Sequence, residues 1–240
     1  MADPATKYRR ILLKLSGEVL GGPDGRGVEA SALNRVADEV LSVRELGISL
    51  GIVLGGGNLI RGAKVGDGGL SRVAADHMGM LGTVINSLAL QSVLESKGCA
   101  TRVMSAADMP KFAEPYIRRR ALRHLEKGRV VIMAAGTGNP YFSTDTAAAL
   151  RAVEIEAEAL FKGTKVDGVY DADPVQNPGA KKFSELSFDE ILSRKLGVMD
   201  ATAVSLCREN RMPIIVFNLS VPGTLRRVVM GEPLGTLVKE

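Results

Sequence analysis

Four short stretches of this chain gather groups that can handle a charged oxygen, and each follows an apolar run. In KLSGE, residues 14 to 18, Lys14 ends the run RILLKLS and is followed by Ser16 and Gly17. A glycine there lets backbone approach a phosphate closely, with the ammonium as counter-charge. A strand-end lysine snorkelling to water fits the same residues equally well. In LGGGNLIRG, residues 54 to 62, three consecutive glycines follow a second apolar run. A simple turn needs one or two. Three let successive N–H groups wrap an oxyanion, and Arg61 adds a charged fork, so anion binding is favoured over a structural turn. Neither GxxxxGK[ST] nor GxGxxG is present, which excludes a Walker A loop and a dinucleotide fingerprint.

The third stretch, AAGTGNPYFSTDTAAAL, covers residues 134 to 150. Ser143 or Thr144 can cap the helix that follows, and Asp145 in its first turn suits the helix dipole. Capping leaves Thr137, Gly138, Asn139 and Tyr141 unexplained. The fourth is GTKVDGVYDADP, residues 163 to 174, with Asp-Gly at a turn. Ordinary turn chemistry accounts for Asp171 and Asp173 before Pro174. Thr164 and Lys165 follow a strand directly. Elsewhere, Asp76 starts a long helix and Asp200 precedes another, where carboxylates serve the dipole or the cap. His77 and His124 are the two histidines, and neither has ligand spacing to a partner, which favours structural roles.

The elements that position these stretches alternate along the chain. Strands are expected at 10–16, 48–57, 101–106, 129–136, 158–163 and 213–218. Residues 235–240 close the chain. Helices are expected at 31–47, 72–97, 117–129, 144–157, 188–195, 200–210 and near 225–230, with Ser31 as the first N-cap and Gly47 as its stop. Residues 165–174 read as a turn or hairpin. Near-continuous apolar strands alternating with helices imply a largely parallel sheet covered on both faces. Ligands bind such sheets at the carboxyl ends of the strands, where all four stretches fall. The helix from residue 72 is apolar around most of its circumference, which implies burial against another element or subunit.

The composition is that of an ordinary globular chain of 240 residues, 45% apolar and 24% charged. Aromatics are 4% with no Trp, so the core is aliphatic. A formal charge of +4 suits an anionic small molecule. The basic run IRRRALRHLEKGR, 117 to 129, reads as a solvated helix face without interleaved aromatics, so no nucleic acid is expected. Cys99 and Cys207 lie outside any CxxC spacing and read as reduced residues of a cytosolic protein. No signal peptide is visible, and the run 77–94 is too polar to span a bilayer.

In order and spacing, KLSGE, GGGNLIRG, DHMGM, AGTGNPYFSTD, TKVDGVYDADP and RRVVMGE resemble the bacterial uridylate (UMP) kinases of the amino-acid-kinase superfamily, from about Tyr8 to Glu240. The resemblance implies an α/β fold: a three-layer α/β/α sandwich around one mainly parallel sheet of about eight strands, in a single domain over 1–240. It implies transfer of the γ-phosphoryl of Mg-ATP to UMP, giving UDP and ADP in de novo pyrimidine nucleotide synthesis. It also implies a cytoplasmic homohexamer, a trimer of dimers, activated by GTP and inhibited by UTP, with no membrane partner.

By the same resemblance, Lys14 neutralises the transferring phosphoryl, and Leu15, Ser16 and Gly17 line the ATP phosphates. Gly56, Gly57 and Arg61 match the glycine loop that holds phosphates of UMP and ATP. Asp76 matches a carboxylate on the UMP ribose. Thr137, Gly138, Asn139, Pro140, Tyr141, Phe142, Ser143 and Thr144 match the loop around uracil and its phosphate. Thr164, Tyr170 and Asp173 match the ATP nucleoside site. Asp145 and Asp200 match acidic positions that order the lysine and metal, with Mg²⁺ held mainly through ATP phosphates. Gly22, Pro23, Asp24, Gly25, Arg26 and Gly27 overlie a loop associated with GTP activation. The loop here reads NPYFST where NPFFTT is common, and Gln91 and Glu95 stand where some relatives carry basic residues linked to GTP.

Overall fold

The computed structural model describes residues 6–60, 69–174, 176–177 and 179–240. The apolar runs become strands because their side chains are buried on both faces. β1 (Arg10–Leu15) and β2 (Ser49–Leu54) are each buried at all but the first residue. With β3 (Thr101–Ser105), β4 (Glu114–Pro115), β5 (Val130–Ala134), β6 (Ala159–Thr164), β9 (Glu185–Ser187), β10 (Ile214–Asn218) and β11 (Thr236–Lys239) they build a nine-stranded sheet among the described residues. Its order is β4-β3-β5-β2-β1-β6-β10-β11-β9. The pairings are parallel except β10 with β11. β7 (Val169–Tyr170) pairs antiparallel with β8 (Lys182–Phe183) as a separate ribbon.

Alternation of side chains divides the core in two. Ile11, Leu13 and Leu15 of β1 pack with α1 (Ala30–Arg44), α2 (Arg72–Ser96) and α7 (Thr224–Val229). Leu12 packs on the opposite face with α3 (Arg118–Glu126), α4 (Thr144–Glu154), α5 (Phe188–Arg194) and α6 (Ala201–Glu209). Tyr8, Phe161 and Phe217 meet edge-on in the first core, with ring centroids 5.3 and 6.3 Å apart. Leu81 and Ile85 of α2 lie outside both cores, each 53% exposed.

Some local expectations change. The N-cap of α1 is Glu29, which makes no side-chain cap bond, and Ser31 instead donates to Glu29 Oε1 at 2.5 Å. The 165–174 segment is not a closed hairpin, because β7 finds its partner at 182–183. The two-residue strand β4 and the three-residue strand β9 carry too little periodic pattern to be read locally.

Candidate active site

β1 and β6 run side by side in parallel, with Lys14 opposite Lys162. The period of two that sends Leu13 and Phe161 into the first core sends Lys14 and Lys162 toward α4. There the first turn of α4 presents Asp145. Lys14 Nζ lies 2.6 Å from Asp145 Oδ1, and Lys162 Nζ lies 3.0 Å from Asp145 Oδ2. Among the described residues, the Lys14 ammonium is the one partner of Asp145 Oδ1. Lys162 also donates to the Val198 carbonyl.

This is a buried group of three charges with a net charge of one positive. Lys14 is only 8% exposed. Burial raises the Asp145 pKa, but the two ammonium groups outweigh it and hold the carboxyl below the usual carboxylate range. Burial lowers the Lys162 pKa, only partly countered by Asp145, and Lys14 pushes it further down. Asp145 is therefore ionised near neutral pH and organises both cations.

Ser143 settles the choice of cap. Its Oγ accepts from the N–H groups of Asp145 and Thr146 at 3.0 and 3.1 Å and donates to Asp200. Asp200 in turn caps α6 through the Ala203 N–H at 3.0 Å and accepts from Thr146 Oγ1 at 3.0 and 3.1 Å. One carboxylate thus ties two helix N-termini together beside the lysines. The Ser143 hydroxyl is committed within the protein, which leaves Thr144 as the hydroxyl at this end of the loop without a partner among the described residues.

Ahead of that cap the loop winds tightly, with positive φ at Ala135, Gly136, Gly138 and Tyr141. Such angles cost an alanine or a tyrosine of order 1–3 kcal/mol, so neighbours must hold them. Ala135 N–H donates to Thr83 Oγ1 at 2.8 Å, and Tyr141 N–H donates to Asp76 Oδ2 at 2.7 Å. The Arg151 guanidinium, stacked 3.9 Å from the Tyr116 ring and paired with Glu154 at 2.6 Å, donates to the Gly136 carbonyl at 3.3 Å. Asp76 also pairs with Arg72 at 2.8 Å. Partial burial would raise its pKa, but the Tyr141 N–H, Arg72 and His77 bring it below the usual carboxylate value. Thr137 bonds Asn139 within the loop, and Tyr141 and Phe142 are exposed.

These residues enclose a cleft of about 130 Å³, bounded by Gly56, Gly57, Asp76, Gly79, Gly136, Asn139 and Thr144. A larger groove of about 680 Å³ lies between α4 and α6. It shares Thr137, Asn139 and Phe142 with the cleft, and neither is lined by Lys14 or Asp145; Gly56, Gly57, Asp76 and the Ser143–Thr144 helix start line the smaller cleft alone. Gly56 is required there, since a Cβ would strike the Gly79 carbonyl of α2 at 2.5 Å. Gly17 opens a short 3₁₀ turn, Gly17–Leu20, which Ser16 caps by accepting from Glu18 N–H at 3.4 Å. Leu15 is buried at the end of β1.

The remaining expected positions are distributed as follows. Thr164 ends β6, and its hydroxyl bonds Val166. The Tyr170 hydroxyl donates to Asp167 at 2.6 Å, and the Asp173 carbonyl accepts from Asn177 N–H at 2.8 Å. Residues 22–27 form a compact loop closed by Gly22 N–H to the Arg26 carbonyl and by Arg26 N–H to Asp24, both at 3.0 Å. Pro23 lies exposed at its rim. Gln91 and Arg102 both contact Glu95, at 3.4 and 3.3 Å. Arg61 lies outside the described residues. Sequence reasoning missed Lys162, Thr83 and Arg151. A lysine inside the apolar strand ALFKGT, like Lys14 in RILLKL, was the available signal for the first.

The sequence pattern described as the amino acid kinase family matches residues 9–218. The chain belongs to the amino acid kinase family. As a member of that family it resembles several solved structures over almost its whole length. A UMP kinase from Bacillus anthracis is 41% identical with a TM-score of 0.94, covering 97% of this chain and 96% of that one. A UMP kinase from Ureaplasma parvum is 37% identical with a TM-score of 0.92, covering 98% and 100%. A uridylate kinase from Archaeoglobus fulgidus is 29% identical with a TM-score of 0.74, covering 95% and 99%. Amino acid kinase membership matches the geometry: paired cations at strand ends beside a glycine loop suit phosphoryl transfer.

Proposed function

We propose that this chain transfers the γ-phosphoryl group of Mg-ATP to UMP, giving UDP and ADP. The observation that carries the reading is the buried Lys14–Asp145–Lys162 group at the strand ends, next to a cleft edged by Gly56, Gly57, Asp76 and the 136–144 loop. The high similarity to UMP kinases over nearly the whole chain supports UMP as the acceptor.

The acceptor phosphate is mostly dianionic at neutral pH, because its second pKa is about 6. No general base is required, and the lack of a histidine in the cleft is no obstacle. The barrier comes from bringing two anions together in line, so catalysis is positioning plus charge neutralisation. Lys14 neutralises the phosphoryl in flight, and Asp145 fixes both lysines. N–H groups of the glycine loop take phosphate oxygens. Asp76 meets the ribose, and backbone groups of 137–144 read the uracil edge. Leu15, Ser16, Gly17, Thr164, Tyr170 and Asp173 receive ATP.

Mg²⁺ fits this donor set as an ion carried by the nucleotide. No group of three or more His, Cys, Asp or Glu side chains able to hold a metal occurs among the described residues. The Asp145 oxygens face lysines, and the Asp200 oxygens accept from Ser143, Thr146 and Ala203. Mg²⁺ bound to phosphates and water needs only one or two protein carboxylates. When bound, it would neutralise charge on the β- and γ-phosphates.

A cytoplasmic homohexamer of one-domain subunits, a place in pyrimidine nucleotide synthesis, GTP activation through residues 22–27 and UTP inhibition complete the proposal. An ADP-release assay with UMP, CMP, N-acetylglutamate and aspartate tests it. Turnover is expected to require UMP. Turnover with an amino-acid acceptor, and none with UMP, overturns it.

A further inference from the structure

Two buried amides stand behind the cleft and are not among the residues that line it. Asn86 on α2 is 0% exposed and Asn58, just after the glycine loop, is 5% exposed. Asn58 Nδ2 donates to the Asn86 Oδ1 at 3.0 Å, and Asn86 Nδ2 donates to the Asn58 Oδ1 at 2.7 Å. The remaining N–H of each amide goes to a main-chain carbonyl: Asn58 to Gly27 at 2.6 Å, Asn86 to Gly55 at 2.7 Å. Both outer partners are pure acceptors, so only the nitrogens can face them and the arrangement has one orientation. Asn58 grips Gly27 twice, because its main-chain carbonyl accepts from Gly27 N–H at 3.0 Å. Gly17 lies against the same amide, and a Cβ there would collide with Asn58 Oδ1.

The pair therefore joins three segments that converge behind the cleft: the turn after Lys14, the glycine loop and the 22–27 loop. It also takes up carbonyls, of Gly55 and Gly27, while the N–H groups of Gly56 and Gly57 have no protein acceptor among the described residues. A fully satisfied buried amide network is rigid, because any rotation leaves a donor unpaired in a dry site. We propose that Asn58 and Asn86 are positioning residues that hold the glycine loop with its N–H groups toward substrate phosphate and make it one mechanical unit with the 22–27 loop. The phosphate part of this inference rests on the function proposed above.

Asn86→Asp keeps the shape but replaces the donor facing the Gly55 carbonyl with an acceptor. Native-state hydrogen exchange should then speed at least about tenfold at the hydrogen-bonded amides of Gly55, Leu59 and Ile60 and at those of 22–27 together, since both segments lose one shared anchor. KM for both nucleotides should rise on the order of 10-fold with a smaller change in kcat, as expected for a misplaced binding loop. Leu94→Ala is the control, because Leu94 is buried in the same helix about two turns beyond Asn86; it should lower Tm without either change. If Asn86→Asp does not fold, Asn86→Ser removes the same donor. Faster exchange in only one of the two segments, or in neither, overturns the proposal, as does an equal KM rise in Leu94→Ala. A wild-type chain that fails to turn over UMP refutes the functional reading alone, and the exchange result still decides the amide pair.

Discussion

Lys14 is an ammonium at the end of a buried strand, a costly place for a charge unless it is paired. Asp145 supplies the pairing at 2.6 Å, and a neutral side chain at either position breaks a buried ion pair. Lys14→Ala is expected to lower kcat by about 100-fold or more, the scale of losing a charged transition-state contact. Steady-state ADP release checks this, and near-normal kcat would refute the assigned role. Asp145→Asn should also cut kcat, while KM for UMP stays within a few-fold, because it orients the lysines and does not itself hold the acceptor. Its Tm should fall as well, since removing one partner of a buried pair costs about 3–5 kcal/mol. Cys207 belongs to the same neighbourhood. Burial, helped by the charge of Asp145, pushes its thiol up to about 12. Iodoacetamide at pH 8 is therefore expected to leave Cys207 unmodified in the native protein and to label it after denaturation.

Elements carry the site through their ends. α4 and α6 begin side by side because Ser143 and Thr146 of one bond the Asp200 that caps the other. Asp200→Ala removes a cap worth about 1 kcal/mol together with two hydroxyl partners. A Tm loss of at least about 2–4 °C should follow in thermal unfolding, the shift expected per kcal/mol for a chain of this size. kcat should fall too, because the start of α4 carries Asp145; a stable variant with unchanged kinetics would show that the tie is only structural. Gly17 is a second such point. Its missing Cβ lets the turn after β1 pack on Gly55 and Asn58. Gly17→Ala should raise KM for ATP and lower Tm together, measured by kinetics and calorimetry.

At the scale of the molecule, acid acts on the buried charges. The folded-state carboxyl pKa of Asp145 lies below its unfolded value, as does that of Asp76. Such groups bind fewer protons folded than unfolded. Their stabilisation is fully present above the usual carboxylate pKa and is lost as pH falls through the depressed folded values. The unfolding free energy should decline on acidification below about pH 4, and Asp145→Asn should flatten that decline. The outer face of α2 bears on assembly. Leu81 and Ile85 expose apolar surface there. If the chain assembles through this face, Leu81→Glu is expected to shift its mass in light scattering to a smaller species, and an unchanged mass would exclude that face.

Much of this was legible in the chain because it depends on near neighbours. Alternating apolar runs, the cap signal at Ser143 or Thr144, the three glycines before Asn58 and an acid in the first helical turn at Asp145 are local chemistry, and the structure chose Ser143 for the cap. Lys14 could be picked out as a strand-end cation, though a snorkelling lysine explained it equally well. Only the folded chain removed that ambiguity, by setting Lys14 opposite Lys162 and bringing Asp145 between them. Strand register is chosen by burial summed over the whole sheet, so no local pattern states which residues become partners across it. The same holds for Arg151 under the Gly136 carbonyl, for Asn86 against Asn58, and for the short strands β4 and β9. The types of chemistry were written in the sequence; which groups share one buried site was decided by packing.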